Sequence, residues 1–574
     1  MKAATILLVA ISGGLAFPGA AHRHATKPVV SGEAAQQLLE DRLQPPPKAG
    51  SQYTRQARQA GALLDGFSDD SDAINSALSA GGTVVIGTGA TALIRKTIKI
   101  PSDTTLLCQP GATIDFEPQA PVNIAAGNDR AVAFESGTGE EIPISQPISA
   151  GASSFTSSSP PPAMFTGEWL VVLEIDPALQ EPEYIDWAQF AGSAGDVVMV
   201  QRSFRINFPK NEGHTLSYIP IIDLVHDSQI VGCTIRSRQA TVGTPGVSVA
   251  YSRNITVRGN SVSMANGQGL YSYRSNRVKF LDNHAAVLGP AAPEFAESTD
   301  LEISGNTFGA DTGAHEAATT ACADLDYGIG YFIFAHNTCS SARNIAVEVL
   351  THAHDGVITD NTMPHADGFG DGFVVIGAEN VTIEGNSFTR APIASGNNGI
   401  GVYFEDCYYC TPVIYSRANV VSGNSLDSFS RPLVVSPLDS RLPAEENSLA
   451  ANGRNAGSAD FADTHASTDG ALLAPGYSLA TSLGVGTLGI PNITNIGRSS
   501  FTIEWQTALP LNTQVWFTPS GGAESHYADW ALTRKHTAVV NGLDPGTTYS
   551  VIVESSDYSS PDLWSRGIYL TTRQ

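Results

Sequence analysis

Ile255-Thr-Val-Arg-Gly-Asn260, Val278-Lys-Phe-Leu-Asp-Asn283, Leu301-Glu-Ile-Ser-Gly-Asn306, Phe332-Ile-Phe-Ala-His-Asn337 and Val381-Thr-Ile-Glu-Gly-Asn386 share one local pattern: apolar, any residue, apolar, two residues, asparagine. Looser copies end at Asn361 and Asn424, so the closing asparagines stand 23, 23, 31, 24, 25 and 38 residues apart. A period in the low twenties built from short strands is the signature of a β-solenoid, in which each repeat is one coil stacked on the last. Alternate strand residues then face a dry interior. A turn asparagine can adopt the left-handed conformation and hydrogen-bond to the asparagine of the next coil, so the repeated asparagines are expected to be structural.

Working outward, Asp69-Asp-Ser-Asp-Ala-Ile-Asn-Ser-Ala-Leu78 predicts a short helix whose leading aspartates cap its free N–H groups. Gly81-Gly-Thr-Val-Val-Ile86, Thr97-Ile-Lys-Ile100, Thr104-Thr-Leu-Leu107 and Gly111-Ala-Thr-Ile114 follow as short β runs broken by turns. Before them, Met1-Lys2, the apolar stretch to Phe17 and the small residues Gly19 to Ala21 have the form of a signal peptide over 1–21. Residues 22–64, with Pro45-Pro-Pro47, are expected as an N-terminal arm, and the solenoid as one run over 65–446. The Ala, Ser, Gly and Asp-rich stretch 447–486 reads as a linker. Residues 487–574 form a separate alternating module.

The all-β pattern, the Asp-Asp-Ser-Asp-Ala-Ile-Asn start, the Gly-Gly-Thr-Val-Val-Ile strand and the Asn-ended coils resemble the pectate-lyase-like superfamily of right-handed parallel β-helix proteins. In the last module, Trp505 as a core indole and Tyr549 after Leu543-Asp-Pro-Gly546 resemble a fibronectin type III β-sandwich with its tyrosine corner. The first resemblance covers about residues 65 to 445 and implies a fold whose members include polysaccharide lyases, glycoside hydrolases, uronan epimerases, phage tailspikes and surface proteins. The second implies a spacer or docking module.

A formal net charge of −24 argues against nucleic acid or an anionic membrane as partner. No later segment reaches the apolar length of a membrane span. The expected partner is a polysaccharide, outside the cell or at its surface, with the oligomeric state open. Six cysteines in an exported chain allow up to three disulfides in fifteen pairings, and no Cys/His spacing matches a zinc site. Sequons stand at Asn254, Asn380 and Asn492.

Because a β-helix is packed inside, chemistry belongs on its outer face, where side chains of successive coils lie about 4.8 Å apart. Between Asp227 and Asp282 no acidic residue occurs, but Arg236, Arg238, Arg253, Arg258, Arg274, Arg277 and Lys279 do. Stacked cations could hold uronate carboxylates and acidify an α-proton, with Arg258, Arg274 or Lys279 as base, Arg277 on the substrate, and Tyr271 or Tyr273 as the acid of a β-elimination. The next coils concentrate Glu294, Glu297, Asp324, Asp326, Glu348, Asp367 and Asp371, with His352, His354 and His365. Asp324 and Glu348 each stand 13 residues before their coil's asparagine, which predicts one above the other, as a pair of glycosidase carboxylates. His352 and His354 are candidate substrate contacts. Glu294, Glu297 and Asp367 are candidate ligands for Ca²⁺, the ion with which a pectate-lyase-like enzyme neutralises uronates.

The polygalacturonase set of Asn-Thr-Asp, Asp-Asp, Gly-His-Gly and Arg-Ile-Lys is absent, as are the Asp-Pro-His motif of alginate epimerases and the basic, Trp-rich signatures of pectate lyases proper. The leading expectation is a secreted lyase acting on a uronic-acid-containing glycan. The alternatives are a glycoside hydrolase using two of Asp324, Asp326, Glu348 and Asp371 as its paired carboxylates and a non-catalytic glycan-binding or adhesion protein.

Overall fold

Short runs such as Ile255-Thr-Val257 and Val278-Lys-Phe280 cannot bury their apolar edge alone, and they do so by stacking. The computed structural model describes residues 54–118, 129–177, 179–211, 213–237, 244–264, 267–287, 292–309, 321–339, 345–363, 371–388 and 400–405, together with residue 239, parts of 407–462 and most of 492–573. It is a right-handed parallel β-solenoid of about 11 turns with three sheets as walls.

Face A stacks thirteen strands, among them Thr104–Cys108, His226–Val231, Arg253–Arg258, Asn276–Leu281, Thr299–Ser304, Gly330–Ala335 and His354–Thr359. Face B includes Thr234–Ser237, Ser261–Met264 and His284–Val287. Face C includes Val132–Glu135, Val247–Ala250, Leu270–Tyr273, Glu294–Ala296, Ala321–Asp326, Ile345–Leu350 and Asp371–Ile376. The interior is a continuous apolar stack in which Phe280, Phe295, Phe308 and Phe334 pack ring against ring.

The asparagines line the corner between faces A and B, almost fully buried. Asn306 shows the pattern: its Oδ1 accepts from the backbone N and Nδ2 of Asn283, both at 2.9 Å. Its Nδ2 donates to Phe280 O at 2.8 Å and to Asn337 Oδ1 at 3.0 Å. The left-handed residue is not the asparagine, as expected above, but the one before it: Gly259, Asp282, Gly305, His336, Asp360, Gly385 and Gly423. The sharp bend is made first, and the asparagine is then free to aim its amide along the stack.

The helix forms at Ser71–Ser79, with Ser71 N donating to Asp69 Oδ1 at 3.0 Å. The parallel stacking begins at Thr54–Gln56, inside the segment expected as an arm, and short strands at Ser448–Ala450 and Phe461–Ala462 lie in the segment expected as a linker. Among the described residues no helix is long and apolar enough to cross a membrane. The cysteines pair as Cys108–Cys233, Cys322–Cys339 and Cys407–Cys410, as suits an oxidising compartment.

One large excursion interrupts the solenoid. Between Glu135 on face C and His226 on face A, residues 137–222 form a seven-stranded antiparallel sheet with its own core of Leu170, Val172, Phe190, Phe208 and Tyr218. Gln229–Val231 resumes pairing on Thr105–Leu107, and Cys108–Cys233 ties the coils on either side. The insert lies over the corner between faces C and A. Arg205 bridges Asp186 of the insert and Asp300 of the solenoid, both at 2.7 Å, and His352 Nδ1 contacts Glu183 O at 2.6 Å. The C-terminal residues form a separate antiparallel unit around Trp505, Val551 and Val553.

If the amide ladder fixes the register, Asn306→Ala should destabilise the solenoid by about 3 kcal/mol or more, since several buried groups lose their partners. Urea denaturation of the variant checks this, and a loss below about 1 kcal/mol would refute it.

Candidate active site on face C

Along face C the residues that alternate with buried Phe295, Leu325 and Val349 point outward. The register stacks Tyr271, Glu294, Asp324 and Glu348 in one row on four consecutive coils. A second row, two residues on, holds Tyr273, Ala296 and Asp326. The following corner adds Arg274 and Glu297, which form a buried ion pair, and Arg274 Nη1 donates to Tyr251 Oη at 3.0 Å. The rings of Tyr271 and Tyr273 stack at 6.1 Å, and Arg274 lies 4.8 Å from the Tyr273 ring.

The carboxyls of this cluster resist ionisation. Burial first, then the charges of Glu348, Asp326 and Glu294, raise Asp324 well above the usual range. Asp326 is raised in the same sense by burial and by Glu294. Glu294 is pushed up to about 7 by burial and by Glu181, against the amide of Gln268 that binds it. Glu297 is raised by burial despite Arg274. Glu348 is raised by burial, while a hydrogen bond with Asp324 pulls it back. Asp324 Oδ1 is buried and has no hydrogen-bond partner among the described residues. Burial and the neighbouring carboxylates also raise Tyr271 and Tyr273, so both phenols stay protonated at neutral pH.

Glu181, at the start of the insert strand Glu181–Ala194, acts electrostatically on Glu294, Glu297 and Asp326, and so reaches the row from outside the solenoid. Nothing in the coil repeat points to it. An acidic residue at the tip of a long hairpin is the one signal the chain offers.

The basic zone does not form one surface with these carboxylates. Arg258 and Lys279 lie on face A and pair with acids of the next coil, Asp282 at 3.4 Å and Glu302 at 2.8 Å. Arg277 lines a separate cleft of about 1190 Å³ between face A and the insert, with Arg202, Arg205, Arg253, Trp169 and Trp187. Only Arg274 of the four joins the row. His352 and His354 are buried at the corner under the insert, where His352 packs 4.2 Å from the Tyr184 ring and His354 Nδ1 lies 3.1 Å from Asp355. Asp371 pairs with Ile345, outside the Glu348 row, and its side chain lies outside the described residues, as do Arg238, His365 and Asp367. Of the three calcium candidates, Glu297 is already neutralised by Arg274, which leaves Glu294 among the neighbouring carboxyls.

No family model matches this chain, and no curated protein matches it either. Among solved structures it is similar to the tailspike of Pseudomonas phage phi297, at 11% identity over 90% of this chain and 99% of that one, with a TM-score of 0.40. The surface adhesin PfbA of Streptococcus pneumoniae is 12% identical over 70% and 84%, with a TM-score of 0.38. The DFA-IIIase of Arthrobacter chlorophenolicus A6, without its lid, is 11% identical over 71% and 96%, with a TM-score of 0.34.

Proposed function

We propose that the chain is an extracellular glycan-acting protein that hydrolyses glycosidic bonds at the row Glu294, Asp324 and Glu348. The observation that carries this reading is the stacking of Asp324 directly on Glu348, beside a buried oxygen of Asp324 that meets no hydrogen-bond partner among the described residues. A glycosidase needs one protonated and one ionised carboxyl across the scissile bond. Asp324, the more strongly raised, would protonate the leaving oxygen, and Glu348 would serve as nucleophile. Adjacent coils set the two backbones about 4.8 Å apart, and the Asp324–Glu348 hydrogen bond would open around substrate to reach the ~5 Å carboxyl separation of a retaining pair. Tyr271 and Tyr273 would donate hydrogen bonds to sugar hydroxyls. Asp326 and Glu181 would border the substrate.

Elimination is the second reading, favoured by Arg274 set between two tyrosines. Its acid, Tyr271 or Tyr273, stays protonated as that role requires, but the reading is weakened at the base, because Arg274 is held in a buried ion pair with Glu297. Calcium would serve that reading through Glu294. The C-terminal unit fits a fibronectin-type-III-like docking module, in which Asp544 N donates to Tyr549 Oη at 2.8 Å and Trp505 Nε1 to Ser555 Oγ at 3.0 Å.

Asp324→Asn and Glu348→Gln should each lower turnover of a cleaved polysaccharide by 10³-fold or more, on the order expected for a lost catalytic carboxyl. Lys279→Ala and Arg258→Ala should leave it within about threefold, since both are paired on another face. Reducing ends should rise without absorbance at 235 nm, with retention at the anomeric carbon and no dependence on added calcium. A rise at 235 nm would transfer the site to elimination. Binding without turnover on a broad polysaccharide panel would leave an adhesin.

The raised carboxyls also set a pH dependence. Glu294, raised from 4.5 to about 7, binds more protons in the folded state than in the unfolded one between those values. Its contribution to stability is therefore complete below pH 4.5 and is lost as pH rises through 7. Relative to Glu294→Gln, the native protein should lose up to about 3 kcal/mol over that window. Denaturation curves of both proteins from pH 4 to 8.5 check it, and parallel profiles would count against a protonated row.

A further inference from the structure

The inserted sheet contains a second cluster of ionisable groups that the proposed chemistry does not use. We propose that Asp176, Glu183 and His214, with Glu174 beside them, form a binding site for a divalent transition-metal ion of the zinc class, which ties together the insert's own strands at the bulge that meets the solenoid.

The local backbone builds the cluster. Strands Trp169–Asp176, Glu181–Ala194 and Thr215–Ile222 lie side by side. Glu174 pairs with Tyr184 and Ile175 with Pro182, so the register slips and Glu183 is left as the extra residue of a bulge. A bulge re-aims a side chain, and this one turns Glu183 toward the acids of the neighbouring strand. His214 immediately precedes Thr215, the partner of Ile175, and so sits level with Asp176.

One ligand atom from each of Asp176, Glu183 and His214 lies within 4.8 Å of the others. His214 Nδ1 is 3.3 Å from Glu174 Oε1 and 3.8 Å from Glu183 Oε2. Glu174, Asp176 and Glu183 have no exposed surface. Glu174 is met by the backbone N–H groups of Lys210 and Asn211 at 2.9 and 2.7 Å. The ammonium of Lys210 turns away, to the carbonyls of Ile144 and Ser145. Glu183 differs: among the described residues no N–H group meets its buried carboxylate oxygens, and what faces them is the carboxyl of Asp176.

Three carboxyls buried with one imidazole must be balanced by protons or by a cation. A divalent ion balances these charges and meets the buried oxygens of Glu183. Imidazole beside carboxylates suits zinc, whereas calcium prefers an all-oxygen shell of six to eight ligands. Ligands drawn from three strands with no exposed member make the closed kind of site that stabilises structure.

The bulge explains why a metal would matter at a distance. The carbonyl of Glu183 is the acceptor for His352 Nδ1, and a Cβ on Gly328 would lie 2.9 Å from it, so solenoid and insert meet at this residue. Glu181, which reaches the acidic row, is two residues away. The proposal stands independently of the hydrolase reading, because it concerns the insert's own side chains.

The test uses the full chain, stripped with chelator and titrated with zinc alone, followed by calorimetry, elemental analysis and thermal unfolding. One equivalent should bind and raise Tm. Glu183→Gln and His214→Ala should each weaken binding by on the order of 100-fold or more. Gln reproduces the shape of the protonated acid, so Glu183→Gln should fold with an unchanged circular dichroism spectrum and decide the matter even if His214→Ala does not fold. Absence of stoichiometric zinc would overturn the proposal in favour of a protonated Glu183. Zinc retained in Glu183→Gln would place it elsewhere, with Asp103, His226 and Asp227 as the other clustered set.

Discussion

The buried amide ladder at the corner of faces A and B is the constraint on which the site depends. Each asparagine accepts from the coil before it and donates to the coil after it, so slipping one coil by a residue would strand groups in two neighbours. A stack held this way transmits its register around the coil. Asp324 and Glu348, 13 residues before Asn337 and Asn361, are therefore aligned by the coils that carry them.

Counting back from the ladder makes part of the row readable in the sequence and hides the rest. Asp324 and Glu348 stand 13 residues before their asparagines, but Tyr271 and Glu294 stand 12 before Asn283 and Asn306. The difference is one residue in the corner between faces C and A: Glu297-Ser298 in one coil, Tyr327-Gly328-Ile329 in the next. The longer corners are those that receive the insert, through Gly328 and His352. Spacing alone cannot show which loop absorbs an extra residue, so Glu294 reads as a neighbour of the row when it is a member. The same blindness explains the arginines and Lys279. Proximity in sequence put them together, whereas Arg258 and Lys279 point from one face and Arg274 from the next corner.

The insert was not legible, because its strands alternate like those of the coils and carry no turn asparagine to break the count. Its placement follows from physics once seen. An excursion of this length costs little in loop entropy if its ends return to adjacent coils. Thr105–Leu107 and Gln229–Val231 meet in parallel, and a disulfide joins the flanking residues. The excursion can therefore carry a second core, and with it a wall beside face C that a bare solenoid lacks.

The row itself argues for chemistry rather than architecture. Two unit charges 4.8 Å apart repel by about 3.5 kcal/mol at an effective dielectric constant near 20, so neighbouring carboxylates on this face oppose folding when all are ionised. The fold does not require them. Ala133, Ser248 and Val374 occupy the same row in other coils, and the solenoid stacks there equally well. Where acids must be buried for structure alone, this chain supplies partners, as Arg205 does for Asp186 and Asp300. At Glu294, Asp324 and Glu348 it supplies more carboxyls and phenols instead. Burial and mutual repulsion raise these carboxyls at a cost to the fold, and the proposed hydrolase would use that state, one group giving a proton while its neighbour attacks.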